Sequence, residues 1–252
     1  MNFFYAKASA LQLENYHNQI TLFMILLWII IILLGCYLKS EKTINNLSVL
    51  LVTISFIQEI FDYGNRISNV FYYGGGLKIV RDLPLQLCHF AYWFSVIALL
   101  IVVTKKFTHL KQLFFNLAYF FGFSGALMGI LTVSFEGIST FGDILYLDLQ
   151  HSLIILNVLW LIFAYKLNFS FQGIIQSFIF VNIAAIVVGI INYIIGSDAN
   201  YMFLCSAPEV SNPLLFGGEW PYYIIGFELI FFIYGLLIYF PFFIKKKYFI
   251  NS

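Results

Sequence analysis

Long apolar segments alternate along the chain with short segments that are charged, polar or rich in turn-forming residues. A bilayer core of about 30 Å requires roughly 20 apolar residues in a spanning helix. Seven segments approach or exceed this length, near residues 20–38, 47–61, 83–103, 113–133, 149–165, 174–195 and 222–244, and those at 47–61 and 149–165 fit least well. The pattern therefore predicts an all-α, polytopic membrane helix bundle with about seven transmembrane helices, forming a single integral membrane domain over residues 1–252.

The segment before the first span has a mixed composition. Phe3, Phe4, Leu11, Leu13 and Tyr16 lie among polar residues, so we expect residues 2–19 to lie along the membrane interface. No basic stretch precedes the span and no small-residue cleavage pattern follows it. We therefore interpret the first span as an uncleaved helix rather than a signal peptide.

The composition supports a membrane location. Hydrophobic side chains make up 62% of the chain and charged ones 10%, whereas soluble domains carry about 25% charged residues. The formal net charge of +1 provides no basic field for nucleic-acid binding. Cys36, Cys88 and Cys205 are widely spaced and form no C-x-x-C motif, which excludes a disulfide framework and the usual zinc sites. We expect a cell-membrane protein that has no nucleic-acid partner and requires neither a metal nor a cofactor.

Lysine and arginine residues predict the orientation, because cytoplasmic loops retain positive charge. With the N-terminus outside, nine of the 13 Lys and Arg residues fall on cytoplasmic segments and four fall outside. The cytoplasmic ones are Lys39, Lys42, Lys105, Lys106, Lys111, Lys166 and Lys245 to Lys247. We therefore predict that the N-terminus lies outside and the C-terminus inside.

Ionisable side chains within a span are costly in lipid, so they indicate either a functional site or polar contacts between helices. In the predicted orientation, these side chains lie toward the outer ends of five helices. They are Glu59, Asp62 and Arg66 on the second helix, Arg81, Gln86, Cys88 and His89 on the third, Asp148 and His151 on the fifth, Asn192 on the sixth and Glu228 on the seventh. We expect them to form an outward-facing polar pocket near the depth of phospholipid ester groups.

Cys88 and His151 are the candidate catalytic pair. A rise of about 1.5 Å per residue places Cys88 roughly 7 Å and His151 roughly 3 Å below the starts of their predicted spans. Neighbouring helical residues point about 100° apart, so we expect His89 not to face the sulfur of Cys88. Asp148, one turn before His151, is the candidate carboxylate that orients the imidazole. Arg81 is a candidate for lowering the pKa of the thiol.

Each candidate also has a structural interpretation. Cys88 can be a small buried side chain or can pair with Cys205 in a disulfide, and His151 can bond a neighbouring carbonyl group. The charged residues of the second and third helices can form an ion-pair network. Close helix packing explains three glycines, Gly122, Gly125 and Gly129.

Two motifs carry a resemblance to a known family. The run Leu83-Pro84-Leu85-Gln86-Leu87-Cys88 resembles the L-P-L-H-L-C signature of the YwaF-like integral membrane family, whose animal members are the transmembrane-protein-164 group. The run Asn200-Tyr201-Met202-Phe203-Leu204, followed by Pro208 and by Trp220-Pro221-Tyr222-Tyr223, is similar to a second segment of that family.

The resemblance implies a seven-helix protein and, for the animal group, an acyltransferase that moves a fatty acyl chain onto lyso ether phospholipids. A cysteine and a later histidine are the proposed catalytic pair of that group, and the matching positions here are Cys88 and His151. Gln86 departs from the signature, where the family often has histidine. If that histidine is the base, this chain lacks it.

We therefore expect a lipid acyltransferase or lipase-like enzyme that acts on the esters of membrane phospholipids or lysophospholipids. The candidate head-group residues are Glu59, Asp62, Arg66, Arg81, Gln86, His89, Asn192 and Glu228, together with Asn200, Tyr201 and Trp220 of a loop that can cover the site. Two alternatives remain open. One is a non-catalytic protein that binds or transports lipid through the same pocket, and the other is a purely structural helix bundle.

Overall fold

A computed structural model describes residues 3–69, 76–135, 137–196, 198–207 and 220–249. Within these ranges, seven helices are long and apolar enough to cross a membrane, which confirms the predicted all-α architecture. They are α1 (Ala10–Tyr37), α2 (Glu41–Ser68), α3 (Leu87–Thr104), α4 (Thr108–Leu131), α5 (Phe141–Phe163), α6 (Phe171–Ile195) and α7 (Tyr222–Phe249).

Capping residues place two helix starts well before the predicted ones. The side chain of Ser9 accepts a hydrogen bond from the Gln12 N–H and the Gln12 side chain accepts one from the Ser9 N–H, which forms a capping box. Residues 10–19 therefore belong to the same helix as the first predicted span. Thr140 and Asp143 form a second capping box, which starts α5 at Phe141 rather than near residue 149.

The third helix begins later than predicted. Leu83 to Leu85 form a turn closed by a 2.8 Å hydrogen bond from the Leu85 N–H to the Leu83 carbonyl oxygen. Pro84 favours this break, because proline disfavours helical backbone at the residue before it. Gln86 is the extended residue that precedes the helix, so Cys88 is the second residue of α3. The predicted depth of Cys88 within a helix that starts at residue 83 is therefore wrong.

Helix α4 changes its winding in the middle. An α-helical segment, Lys111–Phe121, leads into a π-helical segment, Gly122–Ala126, and then into a final turn, Leu127–Leu131. A Cβ atom on Gly122 would lie 3.1 Å from Cγ2 of Ile154, whereas one on Gly125 would meet nothing within 4 Å. The predicted close packing is thus confirmed for Gly122 and is absent at Gly125.

Helix α5 is the centre of the bundle and packs against α1, α2, α3 and α4. In the most apolar 18-residue stretch of α5, 72% of the residues are buried, whereas in that of α7 6% are buried. Buried polar contacts accompany the apolar core: Asn157 Nδ2 donates to Oγ of Ser55 at 3.2 Å and of Ser95 at 3.1 Å, which links α5 to α2 and α3. Exposed leucine, isoleucine and phenylalanine residues cover the outer faces of α1, α6 and α7, as expected for surfaces that face lipid.

Candidate functional site

A cavity of about 350 Å³ opens at the end of the bundle where α2 ends and where α3 and α5 begin. It lies at the end that the charge distribution predicts to be outside. Its walls combine polar and apolar groups and consist of Asp62, Asn65, Arg66, Gln86, Ser134, Ile138, Asp143, Tyr146, Leu147, Gln150 and Phe203. Three of the predicted site residues, Asp62, Arg66 and Gln86, therefore meet in this cavity.

An ion-pair network forms one side of the cavity. Arg66 donates from Nε and Nη2 to Oδ2 of Asp62, at 3.0 and 2.8 Å, and from Nη1 to Oδ1 of Asp82 at 3.3 Å. Arg81 donates from Nε to both oxygens of Asp82, at 3.0 and 2.9 Å. Because both carboxylates are buried, the two arginines offset the cost of removing them from water. The ion pairs expected among these charged residues are thus present for Asp62, Arg66 and Arg81, whereas Glu59 makes no ion pair with a described residue.

Glutamine and asparagine side chains connect α5 to α2 at the cavity. Gln150 Nε2 donates to Oε2 of Glu59 at 3.3 Å, which brings the predicted residue Glu59 behind the cavity wall. Asn65 Nδ2 donates to Oδ1 of Asp143 at 3.0 Å. Asn65 and Gln150 were not among the predicted site residues, although Asn65 follows Asp62 by three residues and therefore shares its helix face.

Tyr201 fastens the loop after α6 to the turn that precedes α3. Its hydroxyl donates to the carbonyl oxygen of Ile79 at 2.6 Å and accepts from the N–H of Leu83 at 2.9 Å. Burial raises the pKa of the Tyr201 phenol, so the group stays protonated and able to donate. Asn192 exchanges two 3.0 Å hydrogen bonds with the backbone of Tyr201, and Gln86 Oε1 accepts from the Met202 N–H at 2.9 Å. These contacts define a structural role for Tyr201, Asn192 and Gln86.

Eight of the eleven predicted head-group residues do not line the described cavity, and three of these make contacts elsewhere in loops or between other helices. Asn200 bonds Cys205 and Ser206 within its own loop. Trp220 is 59% exposed, and its Nε1 donates to the Leu204 carbonyl oxygen at 2.8 Å. Glu228 instead accepts from Asn182 Nδ2 at 3.4 Å, between α6 and α7.

Cys88 lies in the first turn of α3, where its sulfur contacts the neighbouring histidine. The distance from Cys88 Sγ to His89 Nδ1 is 3.9 Å, so the expectation that His89 turns away from the thiol is wrong. His89 is 5% exposed, and its Nε2 is buried without a hydrogen-bond partner among the described residues. All three cysteines, Cys36, Cys88 and Cys205, are free, which rules out a disulfide for Cys88 in this structure.

The backbone around Cys88 carries uncommitted donors. The N–H groups of Leu87 and Cys88 donate to no described backbone carbonyl, as is usual in the first turn of a helix, and the N–H of Cys88 lies close to its own sulfur. Arg66 lies within electrostatic range of the thiol, and Arg81, the cation predicted for this role, donates to Asp82. This arrangement gives a bound anion or a developing negative charge two backbone donors and a nearby cation.

His151 is held by the backbone of its own helix. Its Nδ1 lies 2.8 Å from the carbonyl oxygen of Leu147, so Nδ1 carries the proton and Nε2 has a free lone pair. Nε2 faces Gly129 of α4, where an added Cβ would lie 3.0 Å away. Asp148 does not orient this imidazole, because both its oxygens lie 3.0 Å from Nδ1 of His17. The orienting role predicted for Asp148 is therefore wrong.

No described hydrogen bond joins Cys88 to His151, and neither side chain lines the cavity. Each is linked to a residue that does line it. Gln86 lies two residues before Cys88, and the carbonyl oxygen of Leu147 accepts the hydrogen bond from His151. His151 is the eleventh residue of α5 and Cys88 the second of α3, so equal depth does not follow from their helix positions.

The described residues thus define a multi-pass helical membrane protein with a polar cavity at one end of its bundle and a cysteine and two histidines beside that cavity. The chain belongs to the TMEM164 family, whose sequence model matches residues 12–239. The resemblance predicted from the two motifs is confirmed, although Pro208 of the second motif lies outside the described residues. No curated protein and no solved structure matches the chain significantly.

Proposed function

We propose that this chain is a thiol-dependent lipid acyltransferase or lipase-like enzyme in which Cys88 is the nucleophile and His151 the general base. The observation that carries the proposal is the 2.8 Å hydrogen bond from His151 Nδ1 to the Leu147 carbonyl oxygen. It fixes the tautomer whose Nε2 can accept a proton. Membership of the TMEM164 family and the resemblance of the Cys88 segment to the family signature support the same assignment.

The proposed reaction has two steps. In the first, the Cys88 thiol gives its proton to Nε2 of His151, and the sulfur attacks the carbonyl carbon of a phospholipid ester. The ester C–O bond breaks, and the leaving lysophospholipid oxygen takes the proton back. In the second, Nε2 of His151 takes the proton of the hydroxyl group of a lysophospholipid or of water as that oxygen attacks the thioester carbon. The C–S bond then breaks, and His151 gives this proton to the departing sulfur.

The start of α3 suits the negative charge that develops during both steps. The N–H groups of Leu87 and Cys88 are free of backbone partners and are the candidate oxyanion donors. Arg66 adds positive charge within electrostatic range of the sulfur. Removing one donor of this type typically slows an acyl transfer about 100-fold to 1000-fold.

His89 is the rival for the role of base, because its Nδ1 lies 3.9 Å from the sulfur. A buried imidazole nitrogen without a partner, such as His89 Nε2, is unusual and favours a functional explanation. The two roles differ in their sensitivity to substitution. Substitution of the histidine that acts as the base should abolish acylation. Substitution of the other histidine should affect mainly the position of the thiol or the stability of the protein.

The cavity is the candidate site for the head group of a phospholipid or lysophospholipid. Arg66 suits a phosphate, and the carboxylate of Asp62 suits a cationic group, with Glu59 behind the cavity wall. In the predicted orientation, this site faces outward from the cell membrane. The head-group roles of Arg81, Gln86, Asn200 and Trp220 stay predictions.

A second candidate function is lipid binding or transport without catalysis. It is favoured by one observation, namely that the residues lining the cavity include neither Cys88 nor His151. A binding protein requires the cavity and its charges but not the thiol.

The deciding experiment compares Cys88→Ser with Cys205→Ser, since both thiols are free. The purified protein is incubated with phosphatidylcholine that carries a labelled acyl chain, and the protein-bound label that hydroxylamine releases is measured. We expect the wild type and Cys205→Ser to carry the label and Cys88→Ser to carry none, while all three retain the same melting temperature. Labelling of Cys88→Ser at the wild-type level contradicts the enzyme proposal. Lipid binding without any labelling of wild type favours the second candidate.

Substitution of the two histidines then identifies the base. We expect His151→Gln to reduce labelling by about 100-fold to 10,000-fold, which is the usual contribution of a general base. We expect His89→Gln to retain more than a tenth of the label. The reverse order assigns the base to His89.

A further inference from the structure

A second cavity, of about 360 Å³, lies at the opposite end of the bundle. It is bounded by the ends of α1, α3 and α5 and the starts of α2 and α4. Its walls are formed by Lys39, Glu41, Ile44, Ile101, Val102, Lys105, Thr108, Lys111, Ala164 and Tyr165. The 18 residues of α3 separate it by roughly 27 Å from the site beside Cys88. The proposed acyl-transfer chemistry does not involve it.

The charge around this second cavity is positive. Lys105 Nζ lies 2.7 Å from Oε1 of Glu41, so this pair contributes no net charge. The hydrogen bond and charge of Glu41 raise the pKa of Lys105, which keeps the lysine charged. The side chains of Lys39 and Lys111 make no ion pair or hydrogen bond with any described residue, so two ammonium groups remain available.

The backbone at the start of α4 adds uncommitted donors to the same cavity. Lys105 and Phe107 adopt left-handed conformations, with φ of 56° and 53°, so the connection turns sharply into α4. Phe107 provides no side-chain cap, and the N–H groups of Thr108 and His109 make no described hydrogen bond. By contrast, Ser or Thr side chains cap the starts of α1, α2, α5 and α6. An uncapped helix start beside lysines favours an anion.

The remaining walls are apolar and indicate what kind of anion fits. Ile44, Ile101 and Val102 form part of the cavity, and the neighbouring Phe107 is 67% exposed. Aromatic and aliphatic side chains next to lysines are typical of the boundary between acyl chains and head groups. A soluble anion gains nothing from these walls, whereas a lipid can place its phosphate on the lysines and its acyl chains along the apolar side.

We propose that this pocket binds the phosphate of an anionic phospholipid through Lys39, Lys111 and the free backbone N–H groups at the start of α4. The predicted orientation places the pocket on the cytoplasmic side, where membranes carry anionic lipid. A lipid bound there stabilises the folded protein by mass action, because it contacts the ends of several helices at once.

The test measures binding of phosphatidylglycerol to the purified full-length protein by native mass spectrometry. The pocket variant is the double substitution Lys39→Gln and Lys111→Gln. The control is the double substitution Lys245→Gln and Lys246→Gln, which removes the same charge from exposed positions at the same end of the bundle. We expect the pocket variant to bind phosphatidylglycerol at least tenfold more weakly and the control to change less than twofold. Lys39→Arg with Lys111→Arg should restore binding.

Three results overturn the proposal. Equal losses in the pocket and control variants indicate general attraction to positive charge. Equal binding of phosphatidylcholine and phosphatidylglycerol by wild type shows that the pocket does not select an anionic lipid. Displacement of the lipid by millimolar inorganic phosphate identifies free phosphate as the ligand. If the double Gln variant does not fold, Lys111→Gln alone decides between the outcomes, with Lys246→Gln as its control.

Discussion

Nδ1 of His17 lies 3.0 Å from both carboxylate oxygens of Asp148, which joins α1 to α5 inside the bundle. His17 is 7% exposed and Asp148 is 2% exposed. The carboxylate that the sequence suggests as an orienting group for His151 is therefore occupied by a histidine 131 residues away. A backbone carbonyl, that of Leu147, holds the imidazole of His151 instead.

The first prediction concerns the stability that this pair provides. We expect His17→Leu and Asp148→Leu each to lower the free energy of unfolding by about 1–3 kcal/mol, because each leaves a buried polar partner without its hydrogen bond. The double variant should lose less than the sum of the two, since it leaves no orphaned group. Chemical unfolding of the four proteins in detergent micelles measures this cycle. Additive losses show that the two side chains do not stabilise each other.

The second prediction separates Asp148 from the chemistry. Because Asp148 does not contact His151, we expect Asp148→Asn to retain acyl-thioester formation within about threefold per folded molecule. Hydroxylamine-released label, normalised to folded protein, measures the effect. A loss near the 10,000-fold that follows removal of an orienting carboxylate in a serine-protease triad restores Asp148 as the orienting group.

The third prediction uses two glycines of α4 that differ in what they face. A Cβ on Gly129 would lie 3.0 Å from Nε2 and 3.1 Å from Cδ2 of His151, whereas one on Gly125 meets nothing within 4 Å. Gly129→Ala should therefore shift the imidazole and reduce acyl transfer about tenfold to 100-fold, as a displacement near 1 Å can do. Gly125→Ala is the matched control and should leave the rate unchanged. If Gly129→Ala and Gly125→Ala have similar melting temperatures and equal rates of acyl transfer, the proposed role of His151 is contradicted.

The fourth prediction concerns the turn that leads into α3. Tyr201→Phe removes the hydroxyl that bonds Ile79 and Leu83, so we expect a loss of about 1–3 kcal/mol in the free energy of unfolding. Hydrogen exchange should rise within residues 79–86, which carry the Cys88 helix start. Tyr193→Phe removes the same atom from a side chain that is 88% exposed and should change neither quantity. Equal exchange in both variants shows that Tyr201 does not fasten this turn.

The number and order of the helices follow from the lengths of the apolar segments, because bilayer thickness sets a minimum length. The helix starts depend on short-range signals that apolar length does not contain. Ser9-x-x-Gln12 and Thr140-x-x-Asp143 are readable capping patterns, and they would have placed the starts of α1 and α5 correctly. The break at Pro84 is a further local signal.

The site is less predictable than the fold, because its contacts join distant parts of the chain. Helical spacing places Asp62 and Arg66 on one face, and the structure confirms their contact. The same kind of reasoning fails for His89, since a long side chain in the first helical turn can bend back toward its neighbour. Asp148 bonds His17 rather than His151 because of the way α1 packs on α5, and sequence spacing carries no information on that packing.

The last prediction concerns Arg66, which links two buried carboxylates beside the cavity. Asp62 and Asp82 are each 6% exposed, and Arg66 donates to both. Arg66→Gln leaves Asp62 without its cation, whereas Asp82 keeps Arg81, so we expect a loss of about 3–5 kcal/mol in the free energy of unfolding. Lys7→Gln removes the same charge from an exposed side chain and should cost less than about 0.5 kcal/mol. Equal melting temperatures for the two variants contradict a stabilising role for the network. Arg66→Lys tests geometry, because a lysine keeps the charge but lacks the planar set of donors that reaches both Asp62 and Asp82, and it should recover only part of the loss.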